Sequence, residues 1–468
     1  MTGGTDRAVA KLQALVRIPS VSDRDTSRVE AAVFDRLHAE LRTSFPLLHE
    51  RLELTRVYTH GLLFRWPGRA ADKPVVLMAH LDVVPVDDSA PWQHPAFGAE
   101  IVDGAIWGRG TLDDKGCVAA ICEAVERLLE GGHLPAQDVW LSFGCDEEIS
   151  GPAAVAAVDE LVRRGVRPWL VLDEGGAVAH DAFPGVKRAV AAIGVAEKGT
   201  TSVELRVEGP GGHSSTPARN GPTVRLARAI LRIDRSPMPA RLPDTTVELM
   251  RRLAPYLPLP LRPLVRRADR ARPLLARAMI SAGAEAAAMA RTTFAVTTLD
   301  GSPALNVIAS SATAGVNVRV MPGDTVDDVL AHLRTVVDDP EVRIRVVERG
   351  EASPVSVVDE VFDVVADLVA THFPDAVIAP YVQTGATDSR HFTRICEHVY
   401  RFAPFRMTAA QRRAIHSYDE HLDVAAFLAG IDWYQALIEG LPMPESPGPH
   451  GRMAHGHLGD ARPESGHT

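Results

Sequence analysis

Val9, Leu12, Leu15 and Val16, then Val29, Ala32, Val33, Leu37 and Leu41, recur at helical spacing and predict amphipathic helices over residues 5–18 and 27–42. Arg51 to Tyr58 and Gly61 to Trp66 read as strands, and Val75–Ala79, an apolar run between Pro74 and His80, reads as a buried one. A helix is expected over Lys115–Glu130, stopped by Gly131 and Gly132. Asp138 to Phe143 and Pro168 to Leu172 supply two further strands, so the first part of the chain has an α/β texture.

From Glu197 the order changes. Thr201 to Val207 is a strand, Pro222 to Ile233 a helix, Thr292 to Leu299 and Asn306 to Val320 strands, Val326 to Val337 a helix and Val342 to Val347 a strand. This β-α-β-β-α-β order is the ferredoxin-like unit, which closes a compact domain by itself. Residues 197–350 are therefore expected as an insertion into a domain formed by 1–196 and 351–442. Within the insertion, residues 236–290 make a longer excursion with eight arginines between Arg251 and Arg277. Prolines at 255, 258, 260 and 263 forbid one continuous helix there. A helical pair covering an interface is expected, the alternative being a basic surface that touches membranes or acidic partners. The α/β texture resumes with a helix from Asp359 to His372, a strand near His398 to Phe402 and a helix from Asp419 to Glu439. The tail, 443–468, is rich in Gly, Pro and His, with too few apolar residues to order itself.

A length of 468 residues exceeds what one core organises, and 46% apolar with 24% charged residues is a globular composition. The formal charge of -10 argues against a nucleic-acid partner, for which a basic stripe is the usual footprint. No apolar leader or membrane-length apolar run is present, so no membrane association is expected and the cytoplasm is the default location. Cys117, Cys122, Cys145 and Cys396 lack paired spacing and are expected as reduced, buried thiols.

Candidate chemistry collects at strand ends. His80 ends the 75–79 strand, and Asp82, two residues on, falls on the same side, where a carboxylate fixes an imidazole's tautomer. Alone such a pair is more often an ordinary hydrogen-bonded one. Asp113 and Asp114 precede the Lys115 helix, where carboxylates also complement the helix dipole. Glu147 and Glu148 follow the second strand, and Asp173 and Glu174 the third. Ligands in open α/β sheets bind outside the carboxyl ends of strands, so these groups are expected at one edge.

Together the motifs resemble the co-catalytic zinc metallopeptidase family of aminoacylase-1, glutamate carboxypeptidase, carnosine dipeptidase and succinyl-diaminopimelate desuccinylase. The resemblance rests on His80-Leu81-Asp82, Gly108-Arg109-Gly110, Asp113-Asp114-Lys115-Gly116, Asp146-Glu147-Glu148, Leu172-Asp173-Glu174-Gly175, Gly212-His213-Ser214-Ser215, Asn306-Val307-Ile308, Arg319, Gly385 with Thr387-Asp388, and His416-Ser417. It implies a zinc-exopeptidase-like α/β catalytic domain, with a central mixed sheet flanked by helices, and an inserted α+β ferredoxin-like lid and dimerisation domain. It also implies two Zn2+ ions per chain, with Co2+ or Mn2+ as alternatives: Asp113 bridges them, His80 and Glu174 complete one site, and Glu148 and His416 the other. Asp173 remains the alternative to Glu174. Glu147 is implied as general base, Asp82 as the support of His80, and His213 as the group polarising the scissile carbonyl, often from the other subunit of a homodimer. Asn306, Arg319 and Gly385 are implied substrate contacts.

The implied reaction is hydrolysis of a small dipeptide or N-acyl amino acid, as in a carboxypeptidase, dipeptidase or aminoacylase. Deacylation of a succinyl or carbamoyl amide, or ligand binding without turnover, are the competing readings. Asn317 stands where the family commonly has an acid, and Ala309 where it has Pro, which bears on substrate contacts rather than on metal chemistry.

Overall fold

The computed structural model describes residues 2–443 apart from 88 and 184; the expected disordered tail, Met443 excepted, lies outside the described residues. Two sheets organise the chain. The larger has ten strands, in which Gln137–Gly144, Ala70–His80 and Leu170–Asp173 are parallel neighbours. Their registers pair His80 with Gly144 and Leu77 with Leu172, so their carboxyl ends share one edge. Glu53–Val57 and Gly61–Trp66 extend the sheet antiparallel on one side. Val399–Arg401, Val190–Glu197, Val178–Ala179 and Arg406–Met407 extend it on the other, and Val377–Gln383 pairs in parallel with Val190–Glu197.

The Lys115–Glu130 helix is nearly all buried because its apolar positions face both the sheet and the Val424–Glu439 helix, with Val118, Ile121, Val125 and Leu128 in one core. Each such side chain contributes about 1.5–3 kcal/mol of burial. All four cysteines are buried and unpaired, as expected. No helix among the described residues is long and apolar enough to cross a membrane.

The smaller sheet has four antiparallel strands in the order Thr293–Asp300, Ser311–Val320, Gly199–Glu208, Val342–Glu348. With the helices Pro222–Arg235 and Val326–Val337 this is the ferredoxin-like arrangement, and it has its own core around Val203, Leu226, Val316 and Leu333. The 236–290 excursion is broken into short helices, chiefly Asp244–Leu253 and Ala268–Ser281. Its Leu249 and Leu253 pack on Val190, Val377 and Ala379, so it docks against the large sheet.

Two expected elements shift. The last helix starts at Val424, not Asp419, because His421–Asp423 is taken as a strand by Ala105–Trp107. Residues 306–310 do not continue the 311–320 strand; Val307–Ile308 instead forms a small ribbon with Gly212–His213.

Candidate metal centre

Asp113 lies between two imidazoles. Its Oδ1 is 2.8 Å from His80 Nε2 and its Oδ2 is 3.0 Å from His416 Nε2. His416 Nε2 is also 2.9 Å from Glu148 Oε2. Donor atoms of His80, Asp113 and Glu148 all lie within 4.8 Å of one another.

Each group is delivered by a different element. His80 is the last residue of its strand, and its Nδ1–H donates to the Asp82 carbonyl at 3.0 Å, which turns Nε2 toward Asp113. The Asp82 carboxylate does more than flank His80 at 3.4 Å. It accepts from Ser22 Oγ at 2.6 Å and from the backbone N–H groups of Glu147 and Glu148 at 3.2 Å each, so one carboxylate fixes both the ring and the Glu147–Glu148 loop. His416 enters after the Ala409–Ala414 helix with φ +60, a left-handed backbone that few non-glycine residues adopt.

The loop carrying Asp113 is tied down by Glu420, which the sequence did not single out. Its Oε1 accepts from the backbone N–H groups of Gly110 at 3.0 Å, Leu112 at 2.8 Å and Asp113 at 3.2 Å. Arg109 Nη1 donates to the other oxygen at 2.6 Å, and Nη2 donates to the Ser417 carbonyl at 2.6 Å. This buried pair joins the Asp113 and His416 loops. Gly110, at φ +88, is held against Val83 at 2.9 Å from where a Cβ would stand.

Asp173 and Glu174 are used differently. Asp173 accepts from the backbone N–H of Glu174 and of Ser389, both at 2.9 Å. Glu174 is half-buried, and desolvation, with the charges of Asp113, Asp114, Asp173 and Glu147, raises its carboxyl well above the ordinary range. Burial likewise raises Glu147, with Asp388, Glu148 and Asp113 adding to it and His80 opposing. Glu148 Oε1 is buried with no hydrogen-bond partner among the described residues. So many carboxylates around two imidazoles, with His416 exposed and Asp113, Glu148 and Glu174 half-buried, fit cations, because potential donor atoms converge where negative groups outnumber the imidazoles.

The other candidates stand apart from this cluster. Arg319 is half-buried, held by Thr200 Oγ1 at 2.8 Å and Asn317 Oδ1 at 3.1 Å, and within electrostatic reach of Glu147. His213 is exposed, and its Nδ1 accepts from Ser215 N at 3.1 Å. Asn306 and Gly385 are exposed; the Asn306 carbonyl accepts from Ser214 N at 3.2 Å.

The family model for peptidase family M20/M25/M40 matches residues 76–440. The chain is 33% identical over 412 residues to a probable carboxypeptidase S-like 2 of Dictyostelium discoideum, covering 87% of this chain and 79% of that protein. It is also 33% identical over 448 residues to the Homo sapiens N-fatty-acyl-amino acid synthase/hydrolase PM20D1, covering 94% of this chain and 88% of that one. Among solved structures, human carnosine dipeptidase 1 superposes with TM-score 0.66 at 16% identity, covering 93% and 95% of the two chains. An M20 metallo-carboxypeptidase of Sulfolobus solfataricus also reaches 0.66, at 19% identity, covering 92% and 98%.

Proposed function

The chain belongs to peptidase family M20/M25/M40, a family of peptidases and amidohydrolases, and from that premise we propose that it hydrolyses small N-acyl amino acids or dipeptides at a two-metal centre. The observation that carries this reading is Asp113 placed between His80 and His416, one oxygen toward each ring. His80, Asp113 and Glu174 would hold one ion, and Asp113, Glu148 and His416 the other. Glu174 is preferred to Asp173, whose two oxygens already accept backbone N–H groups. Zn2+ suits this mixed imidazole and carboxylate set, as Co2+ or Mn2+ would, and when bound supplies Lewis acidity that polarises a carbonyl and acidifies water.

The chain's own residues do the rest. Glu147, whose basicity burial raises, takes a proton from water and returns it to the leaving amine. Asp82 keeps Glu147 and His80 in fixed relation through the loop backbone. Arg319, oriented by Thr200 and Asn317, presents a cation for the substrate carboxylate, with Asn306 and Gly385 as further contacts.

The N-fatty-acyl-amino acid hydrolase and carboxypeptidase names of the relatives support a substrate with a free carboxylate beside the scissile amide. A panel of N-acyl amino acids, dipeptides and the same compounds as C-terminal carboxamides tests this. The carboxylates are expected to be cleaved about 10–100-fold more efficiently than their carboxamides, the worth of a charge-assisted hydrogen bond. Equal rates would remove Arg319 from carboxylate recognition, and preference for succinyl or carbamoyl amides would reassign the substrate.

The small sheet is read as a lid and homodimer surface. Among the described residues the Thr293–Asp300 strand pairs on one side only, and it carries exposed Val296 and Leu299, with Leu305 beyond it. His213 faces solvent within its own chain, which supports its service to the partner's centre. Mixing a His213→Ala protein with a Glu147→Ala protein is expected to recover activity that neither shows alone, about a quarter of wild type per centre if subunits exchange at random. No recovery in a confirmed mixed dimer would confine His213 to its own subunit.

A further inference from the structure

A second cluster of potential metal donors lies away from this centre. Asp35 and His38 stand one turn apart on the Ala31–Ser44 helix, and His60 sits in the hairpin turn before the Gly61–Trp66 strand. One donor atom from each lies within 4.8 Å of the other two. His38 is 4% exposed, and its Nε2 is 2.9 Å from the His60 carbonyl oxygen. Only an N–H bonds a carbonyl, so in the neutral ring Nδ1 carries the lone pair. That Nδ1 is buried with no partner among the described residues, and so is His60 Nδ1.

The rings are held for binding. Phe34 stacks on His60 with centroids 4.8 Å apart and planes 12° from parallel, which fixes the ring plane. Burial pushes His38 down to about 4, and lowers His60 as well, against the opposing pull of Asp35; Arg56 adds to the lowering in both rings. Both imidazoles are therefore neutral near pH 7, the form that ligates. A buried imidazole nitrogen left without a partner forfeits about 1–3 kcal/mol, so two of them beside a carboxylate ask for an occupant.

We propose that Asp35, His38 and His60 form a further cation site, separate from the His80–Asp113 centre, that takes a zinc-class divalent ion with water completing its coordination. Two imidazoles and one carboxylate are the donor types of zinc sites with an open position. The ion would clamp the hairpin turn to the helix. Thr59, next to His60, reaches Cys145 Sγ at 3.8 Å, and Cys145 begins the loop that carries Glu147 and Glu148.

Zinc content is measured on the full chain after equilibration at fixed free zinc, for wild type, His60→Ala and Asp35→Asn. His60→Ala is expected to hold one zinc fewer per chain than wild type, and Asp35→Asn to bind that one ion at least tenfold more weakly. The same difference of one is expected in an Asp113→Ala background, which separates this site from the proposed hydrolytic centre. Should His60→Ala not fold, Asp35→Asn decides, since Asp35 is exposed. Equal zinc content and affinity in wild type and folded variants overturns the proposal.

Discussion

Replacing Glu147 by Gln is expected to lower kcat/KM for an N-acyl amino acid by about 10²–10⁴-fold while the protein keeps its wild-type metal content. That range is what one positioned acid/base group contributes. The split follows from the geometry. Glu148, not Glu147, meets His416 at 2.9 Å, and the Glu147 backbone N–H is already held by Asp82 at 3.2 Å, so the loop stays in place when the side-chain charge is removed. Gln keeps the volume and loses the basicity. The check is steady-state hydrolysis beside elemental analysis of the same preparation. Loss of metal together with activity would make Glu147 a ligand, and unchanged activity would move the base elsewhere.

Asp113→Ala is expected to abolish activity and to remove metal from both proposed positions at once. His80 and His416 each lose the oxygen that faces them, at 2.8 and 3.0 Å, and among the described residues Glu148, the other carboxylate near both, meets only His416 at hydrogen-bond distance. Asp114 points elsewhere: its Oδ2 accepts the His80 backbone N–H at 3.2 Å. The difference is readable without turnover. At a hundredfold excess of zinc over Kd, each occupied site stabilises the wild type by about 2.7 kcal/mol, and the variant lacks that increment for the centre. Retention of an ion by Asp113→Ala in a His60→Ala background, where the separate site is removed, would mean that the two positions are independent rather than bridged.

Part of the proposed centre was legible because His80, Glu148 and Glu174 stand at or just past the ends of neighbouring apolar strands. The Val75–Ala79 run, the 138–143 and 168–172 runs and their following acids are local patterns, and parallel pairing brings their ends together. The supports were not legible. Ser22 reaches Asp82 across 60 residues and Glu420 reaches Arg109 across 311, and no local spacing announces either partner. Glu420 in particular sits where helical periodicity invited an early helix start; long-range pairing of His421–Asp423 with Ala105–Trp107 overrides it. Val307 and Ile308 have strand-forming side chains and do pair, but with Gly212–His213 rather than in the four-stranded sheet. The excursion's prolines predicted its breaks, whereas its docking through Leu249 and Leu253 depends on the Val377–Gln383 strand, more than a hundred residues away.

Amide hydrolysis by this chain is expected to depend on cations held around Asp113. The most direct measurement is release of free amino acid from an N-acyl amino acid by chelator-stripped protein, before and after zinc is returned. The expected result is no detectable hydrolysis by the stripped protein and recovery of the original rate with zinc. Undiminished hydrolysis by protein shown to be metal-free would contradict it.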